Sequence, residues 1–284
     1  MRIDAHQHFW NYDPLRDAWI TEEMQSIRRN FLPGDLAPEC AANRIDGTIA
    51  VQADQSEKET QFLLDLAERD PIIAGVVGWV DLCSPRVADR LQFFSRHAKL
   101  RGFRHIAQTE PDEKFLVRPD FLRGIRSLRE FDFAYDILIY PKQLPAALAL
   151  VTAVPEQHFV LDHLAKPEIR IGRRKEWETQ VRELAQNPNV FCKISGMVTE
   201  ADWQAWKKED FDPYLDVVFE AFGVHRLMFG SDWPVCLVAA GYAQVVEIVE
   251  DYVKRNTPAA KKGIFGENAA RFYGLKIGQH GLAT

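Results

Sequence analysis

The sequence predicts a (β/α)8 barrel, and three observations carry that prediction. Short apolar runs recur eight times at intervals of roughly 30 residues, a helical pattern follows most of them, and polar residues gather where the runs end. The predicted strands are Arg2–His8, Gly47–Ala53, Ile73–Asp81, Leu100–His105, Ala134–Tyr140, His158–His163, Val190–Ser195 and Arg226–Ser231. Several are nearly continuous apolar stretches, as in Ile73 to Val80, which suits a parallel sheet covered on both faces. A doubly wound open sheet is the alternative topology. The barrel is preferred because His6, His8, Gln52, Asp54, Asp81, Arg104, His105, His163, Lys193, Ser195 and Asp232 all fall at or just past carboxyl ends of strands. Barrel enzymes keep their chemistry at that face.

The helices follow from local signals. Ser56-Glu57-Lys58-Glu59 reads as a capping box before the stripe Phe62, Leu63, Leu66 and Ala67, with a stop at Pro71. Ser84-Pro85 offers a capping hydroxyl before a helix-initiating proline. Gln143–Val154, Lys175–Gln186, Pro213–Phe222 and Tyr242–Arg255 are amphipathic. Residues 10–43 read as a long connection in place of a plain crossover helix, expected to cover the active face. Residues 258–275 read as closing helices that seal the barrel, and no linker or repeat divides the 284 residues, so one domain is expected.

Bulk properties narrow the function. A formal net charge of −6 argues against nucleic acid or an anionic membrane as partner. No apolar run reaches the length of about 18 residues that a membrane span needs. Cys40, Cys83, Cys192 and Cys236 are scattered, without a C-x-x-C pair, as expected of reduced thiols in a cytoplasm. A homo-oligomer is neither favoured nor excluded.

The chemistry concentrates in Asp4-Ala5-His6-Gln7-His8 and Gly230-Ser231-Asp232-Trp233-Pro234. Residues two apart on a strand point the same way, so His6 and His8 present two imidazoles together, and Asp232 ends its own strand. If the strand ends meet, a His-His-carboxylate pocket results, suited to a divalent metal or an activated water. No G-x-S-x-G elbow occurs, which speaks against a serine hydrolase.

These motifs, with Leu100 to His105, Leu161 to Pro167, Lys193 to Gly196 and Gly266 to Leu275, resemble the amidohydrolase superfamily over nearly the whole chain. Within it they are most similar to the branch of small sugar lactonases, those that open L-fucono- and L-rhamnonolactones. The resemblance implies metal ligands at His6, His8, His163 and Asp232, with zinc the first candidate and no organic cofactor. Arg104-His105 stands where a bridging lysine would end the fourth strand, so a carbamate-bridged pair of metals is not expected. The thin ligand set also leaves open hydrolysis without a metal.

The expected reaction is hydrolysis of a sugar lactone of a deoxyhexose, with Asp232 as general base and His163 or His6 orienting it. Arg104, Lys166 and Lys193 are expected to meet the substrate as cations, with Trp10, Trp233 and His8 as pocket walls. Trp79 is open between pocket and core, and only one of Arg104 and His105 can face inward from a strand. His280 reads as part of a frayed tail. The competing readings are a metal-dependent decarboxylase or hydratase, which would need a fuller ligand set, and a non-catalytic ligand-binding barrel.

Overall fold

The computed structural model describes residues 1–275; His280 lies outside them. Eight strands form a single parallel sheet in sequence order: Ile3–Gln7 (β1), Gly47–Val51 (β2), Ile73–Gly78 (β3), Leu100–His105 (β4), Ala134–Ile137 (β5), Phe159–Leu161 (β6), Val190–Ile194 (β7) and Leu227–Phe229 (β8). Nearly every strand residue is buried, as the continuous apolar runs require of a sheet covered on both faces. The observed strands are mostly shorter than expected at their carboxyl ends. β6 stops at Leu161 because the next residues leave the extended region altogether.

The ring closes between β8 and β1 by a parallel bridge between Gln7 and Trp233. Asp232 donates its backbone N–H to the His6 carbonyl at 2.8 Å, and His8 donates to the Trp233 carbonyl at 2.7 Å. The two chemically informative motifs are therefore also the seam of the barrel.

Nine helices are described: Pro33–Asn43 (α1), Glu57–Arg69 (α2), Val87–Phe94 (α3), Pro119–Leu128 (α4), Leu144–Ala153 (α5), Lys175–Ala185 (α6), Asp212–Phe222 (α7), Tyr242–Asn256 (α8) and Asn268–Phe272 (α9). The Ser56 hydroxyl caps α2 by accepting from the Glu59 N–H at 3.2 Å. The Glu59 carboxylate turns instead to the N–H groups of Ala53 and Asp54. Within residues 10–43 the expectation of an irregular connection holds only as far as Leu32. Pro33 begins a crossover helix, and Asp35 accepts from the Leu32 N–H at 3.0 Å. Helix α4, which the sequence reading passed over, starts on Pro119 and buries Phe121, Ile125 and Leu128.

At the amino-terminal end of the barrel, Ala269, Ala270, Phe272 and Tyr273 pack against Ile3, Ala5, Val77, Val160 and Met228. This plug closes the floor, so the polar side chains that point into the barrel higher up have one open direction, the carboxyl face. No described helix is long and apolar enough to cross a membrane.

Candidate active site

The β1 register on β2 shifts between Asp4 and Gln7, the signature of a bulge. Bulges re-aim side chains. Here Ala5 stays with the barrel floor while His6 reaches the polar interior and His8 follows it. Asp4 turns the other way, accepting from the Ser231 N–H at 2.9 Å, the Ser231 hydroxyl, the Tyr242 hydroxyl at 2.9 Å and the His6 N–H at 3.1 Å. Burial pushes the Asp4 carboxyl up to about 6, although these donors oppose the shift. Gly230 is required where the chain passes His6, since a Cβ there would lie 2.7 Å from the His6 Cβ.

The centre of the site is a compact set of ligand-like atoms. His6 Nε2 and His8 Nε2 are 3.2 Å apart, and Asp232 Oδ1 lies 3.3 Å from His8 Nε2 and 3.9 Å from His6 Nε2. His163 Nε2 stands 3.9 Å from the same Asp232 oxygen. His8 donates Nδ1–H to the Val51 carbonyl at 2.7 Å, which leaves its Nε2 as a bare acceptor facing the cluster. His163 Nδ1 pairs with the Ser195 hydroxyl at 2.9 Å. Burial holds His6 and His163 well below the ordinary histidine value and lowers His8 as well, so all three are neutral near pH 7. Asp232 is also buried, which alone would raise its carboxyl, yet His163, His8 and Lys166 outweigh burial and hold it below the usual range.

This arrangement fits a divalent cation. Ligands at about 2.0–2.1 Å in a tetrahedral shell sit roughly 3.3 Å from one another, the spacing found between His6, His8 and Asp232. The Val51 carbonyl behind His8 is the outer partner that ligating histidines use to fix their tautomer. His6, His8 and Asp232 form one metal-competent trio, and His6, Asp162 and His163 form a second.

Beneath His6 lies a wholly buried ion network. Lys193 Nζ is 2.5 Å from Asp136, 3.1 Å from Asp162 and 3.1 Å from His6 Nδ1. Arg104 pairs with Asp162 at 2.9 Å, reaches His6 Nε2 at 3.2 Å and is clamped by the Gln52 side chain and carbonyl. The Tyr273 hydroxyl rises from the floor plug to Asp136 at 2.9 Å. Two cations thus meet two carboxylates, which is how charge survives burial. The same cations crowd the second trio, and Arg104 also stands 3.2 Å from His6 Nε2 of the first.

His163 is delivered by an unusual backbone. His163, Leu164, Ala165 and Lys166 have φ of 54°, 54°, 59° and 50°, one full left-handed turn without a glycine. Left-handed residues cost roughly 1–2 kcal/mol each, so the turn needs support. Trp177 of α6 donates its indole N–H to the Leu164 carbonyl at 2.7 Å. Gly196, itself at φ 63°, packs so closely on the His163 ring that a Cβ would lie 2.6 Å from Nδ1.

Several sequence expectations change. Lys193 has no exposure and is spent on Asp136 and Asp162, so it supports the site from below instead of meeting substrate. Arg104, at 3% exposure, is likewise committed to Asp162 and Gln52. Trp233 is buried between Phe9 and Phe31, with ring centroids at 6.1 and 5.2 Å, and forms core, not wall. Trp10 is 2% exposed, stacks on Trp19 and Phe31 and donates to the Arg29 carbonyl, so it anchors the insertion behind His8. Lys166 alone among the proposed cations keeps a partly exposed head, 3.7 Å from Glu200. His105 points outward, paired with Glu110 at 2.7 Å and stacked on Phe115, and Trp79 lies beside it.

The sequence reading missed Asp4, Asp162 and Glu200 as site residues. Asp162 was hidden by the strand rule that neighbours face opposite ways; the left-handed turn lets both Asp162 and His163 face inward.

Comparisons with known proteins place the chain in a family. A family model described as amidohydrolase matches residues 3–275. The chain is 43% identical to an L-fucono-1,5-lactonase of Burkholderia multivorans, across 97% of this chain and 96% of that protein. It is 38% identical to an L-fucono-1,5-lactonase of Burkholderia ambifaria, across 96% and 95%. A crystal structure of an amidohydrolase from Burkholderia multivorans with bound zinc superposes with a TM-score of 0.94 at 42% identity, over 97% of this chain and 99% of that one. With the family model running from β1 to the floor plug and the His-x-His pair meeting the last-strand aspartate in space, the chain belongs to the amidohydrolase family.

Proposed function

We propose that the protein hydrolyses a sugar lactone, L-fucono-1,5-lactone being the first substrate to test, to the open-chain aldonic acid. One observation carries the reading: the inward His6–His8–Asp232 cluster lies in a chain 43% identical, nearly end to end, to an L-fucono-1,5-lactonase. Zinc is the favoured metal, because a two-imidazole, one-carboxylate donor set suits it and a relative of 42% identity was crystallised with zinc. A divalent cation held by His6, His8 and Asp232 supplies Lewis acidity that polarises the lactone carbonyl or acidifies water.

The chain's own groups account for the proton traffic. Asp232 is ionised at neutral pH and takes the proton of the attacking water as its oxygen bonds to the lactone carbonyl carbon. Collapse of the tetrahedral adduct breaks the bond between that carbon and the ring oxygen, and the proton passes to the departing ring oxygen as it becomes a hydroxyl. His163, neutral and 3.9 Å from Asp232, steers the carboxylate and is itself fixed by Ser195. The low exposure of His6, His8, His163 and Asp232 excludes bulk water and strengthens each of these interactions. Residues 10–32, anchored by Trp10, form the wall beside β1 and act as a partial lid.

The test is lactone opening followed with a pH indicator on L-fucono-, L-rhamnono- and D-galactonolactones, before and after exhaustive chelation, with metal analysis of the same samples. Turnover of at least the fuconolactone is expected, with loss on chelation tracking loss of a stoichiometric metal. No turnover of any lactone by metal-loaded protein contradicts the reading and favours decarboxylase or hydratase chemistry.

A further inference from the structure

A cavity of about 540 Å³ is lined by Tyr140, Lys166, Trp177 and Glu200 together with the charged Lys142, Glu168, Arg173 and Glu176. Two of its walls are tied to His163. Lys166 closes the left-handed turn, its N–H donating to the His163 carbonyl at 2.7 Å. Glu200 ends the short helical turn that follows Ser195 and Gly196, the pair that holds the His163 ring. Tyr140, 38% exposed, supplies the aromatic surface, its ring 5.5 Å from the Lys166 ammonium, while the buried Trp177 braces the turn behind it.

The polar groups here differ from those beneath His6. Lys193 and Arg104 are saturated by buried carboxylates. Lys166 and Glu200 are joined only loosely, at 3.7 Å, and stay 17% and 22% exposed. An ammonium has three donors and a carboxylate about four acceptor sites, so a single long contact leaves most of that capacity turned to the cavity. The pair is also coupled to the chemistry: the Lys166 charge acts on Asp232, and the Asp232 charge acts on Glu200. Aromatic surface with a few convergent hydrogen-bonding groups is the chemistry that recognises a polyhydroxylated ring.

We propose that this cavity is the subsite for the hydroxylated end of the substrate, with Glu200 and Lys166 as specificity-determining residues that read the ring hydroxyls. The inference rests on the lactonase reading and goes beyond it, by assigning where selectivity for a sugar arises. A lactone without hydroxyls leaves Glu200 and Lys166 unpaired when it fills the cavity, and sites built to hydrogen-bond a hydroxyl discriminate strongly against analogues lacking it.

The experiment compares kcat and KM for L-fucono-1,5-lactone and for δ-valerolactone, which carries no ring hydroxyl, in wild type, Glu200→Gln and Glu200→Ala. Glu200→Ala is expected to lower the selectivity ratio, kcat/KM for the fuconolactone over that for δ-valerolactone, by about 10- to 100-fold. The loss should fall mainly in KM, and Glu200→Gln should recover part of it. Lys166→Met carries the same test if Glu200→Ala fails to fold, as judged by its thermal unfolding. A ratio that stays at the wild-type value, with both lactones losing equally, overturns the assignment while leaving the lactonase reading intact. A wild type that opens neither lactone removes the lactonase reading first, and this inference with it.

Discussion

The seam between β8 and β1 and the opposite wall, β4 to β7, each deliver part of the candidate cluster, and they do so by different means. At the seam, His6, His8 and Asp232 are set mainly by hydrogen bonds, two backbone bonds across the gap and the Asp4 carboxylate gathering Ser231, Tyr242 and the His6 N–H, with one left-handed residue, Asp232 at φ 58°. At the far wall, His163 belongs to a run of four left-handed residues, and the ground under His6 is two buried ion pairs. The seam is built from short-range geometry; the wall spends stability to hold charge and backbone where the chemistry needs them. Strain and buried charge occur on both sides, in Asp232 and Asp4 at the seam, but they are heavier at the wall, and such features gather where function constrains a site.

The largest expected difference concerns the buried charges. Lys193→Met strands Asp136 and Asp162 without their ammonium, and removing one partner of a buried pair costs about 3–5 kcal/mol. Denaturant unfolding should show a loss of that order, whereas Ser231→Ala at the seam, which removes one hydroxyl from Asp4, should cost about 1–2 kcal/mol. Equal losses would erase the contrast.

A second test uses pH, to which buried His6 at the seam and His163 at the wall respond in the same direction. Burial holds folded His163 well below its ordinary value, so below about pH 6.5 the unfolded chain binds a proton there that the folded chain refuses. Stability therefore falls as pH drops through that window, by up to about 1.4 kcal/mol per pH unit for this group. The unfolding midpoint of His163→Gln should depend on pH less steeply than wild type between pH 6.5 and 5. Parallel curves would mean that His163 is protonated in the folded protein.

The smallest effect is the sharpest comparison, because one substitution is made on both sides. Ala165→Gly also loses a buried methyl but relieves a residue at φ 59°, so the two effects offset and it should stay within about 1 kcal/mol of wild type. Ala5→Gly on the floor side of β1 gains no such relief, loses a buried methyl and should destabilise by about 1 kcal/mol or more. Thermal unfolding of the two variants settles the sign.

The same contrast explains what was legible in the sequence. The barrel, the strand order and the meeting of His6 and His8 with Asp232 follow from period-two alternation and apolar runs, which local physics enforces. The bulge that turns Asp4 away from His6 carries no such signal, because the DAHQH run reads as unbroken alternation. The far wall was read less well for a related reason. Periodicity cannot announce four left-handed residues in Asp162-His163-Leu164-Ala165-Lys166, none of them glycine, and so Asp162 was not singled out beside His163. Nor does a charged residue at a strand end reveal whether it meets substrate, as we propose for Lys166, or another buried charge, as Lys193 does. Helix α4 is the exception: Pro119 and the Phe121, Ile125, Leu128 stripe were present to be read.

The central claim is that Asp232, fixed by the seam, is the base that activates water. Its most direct test is the rate of L-fucono-1,5-lactone opening by Asp232→Asn against wild type, with equal metal loading and matched unfolding midpoints. The account predicts a fall in kcat of about 10²- to 10⁴-fold, the range that a positioned general base supplies. A variant that is folded, loaded and within a few-fold of wild type would contradict it.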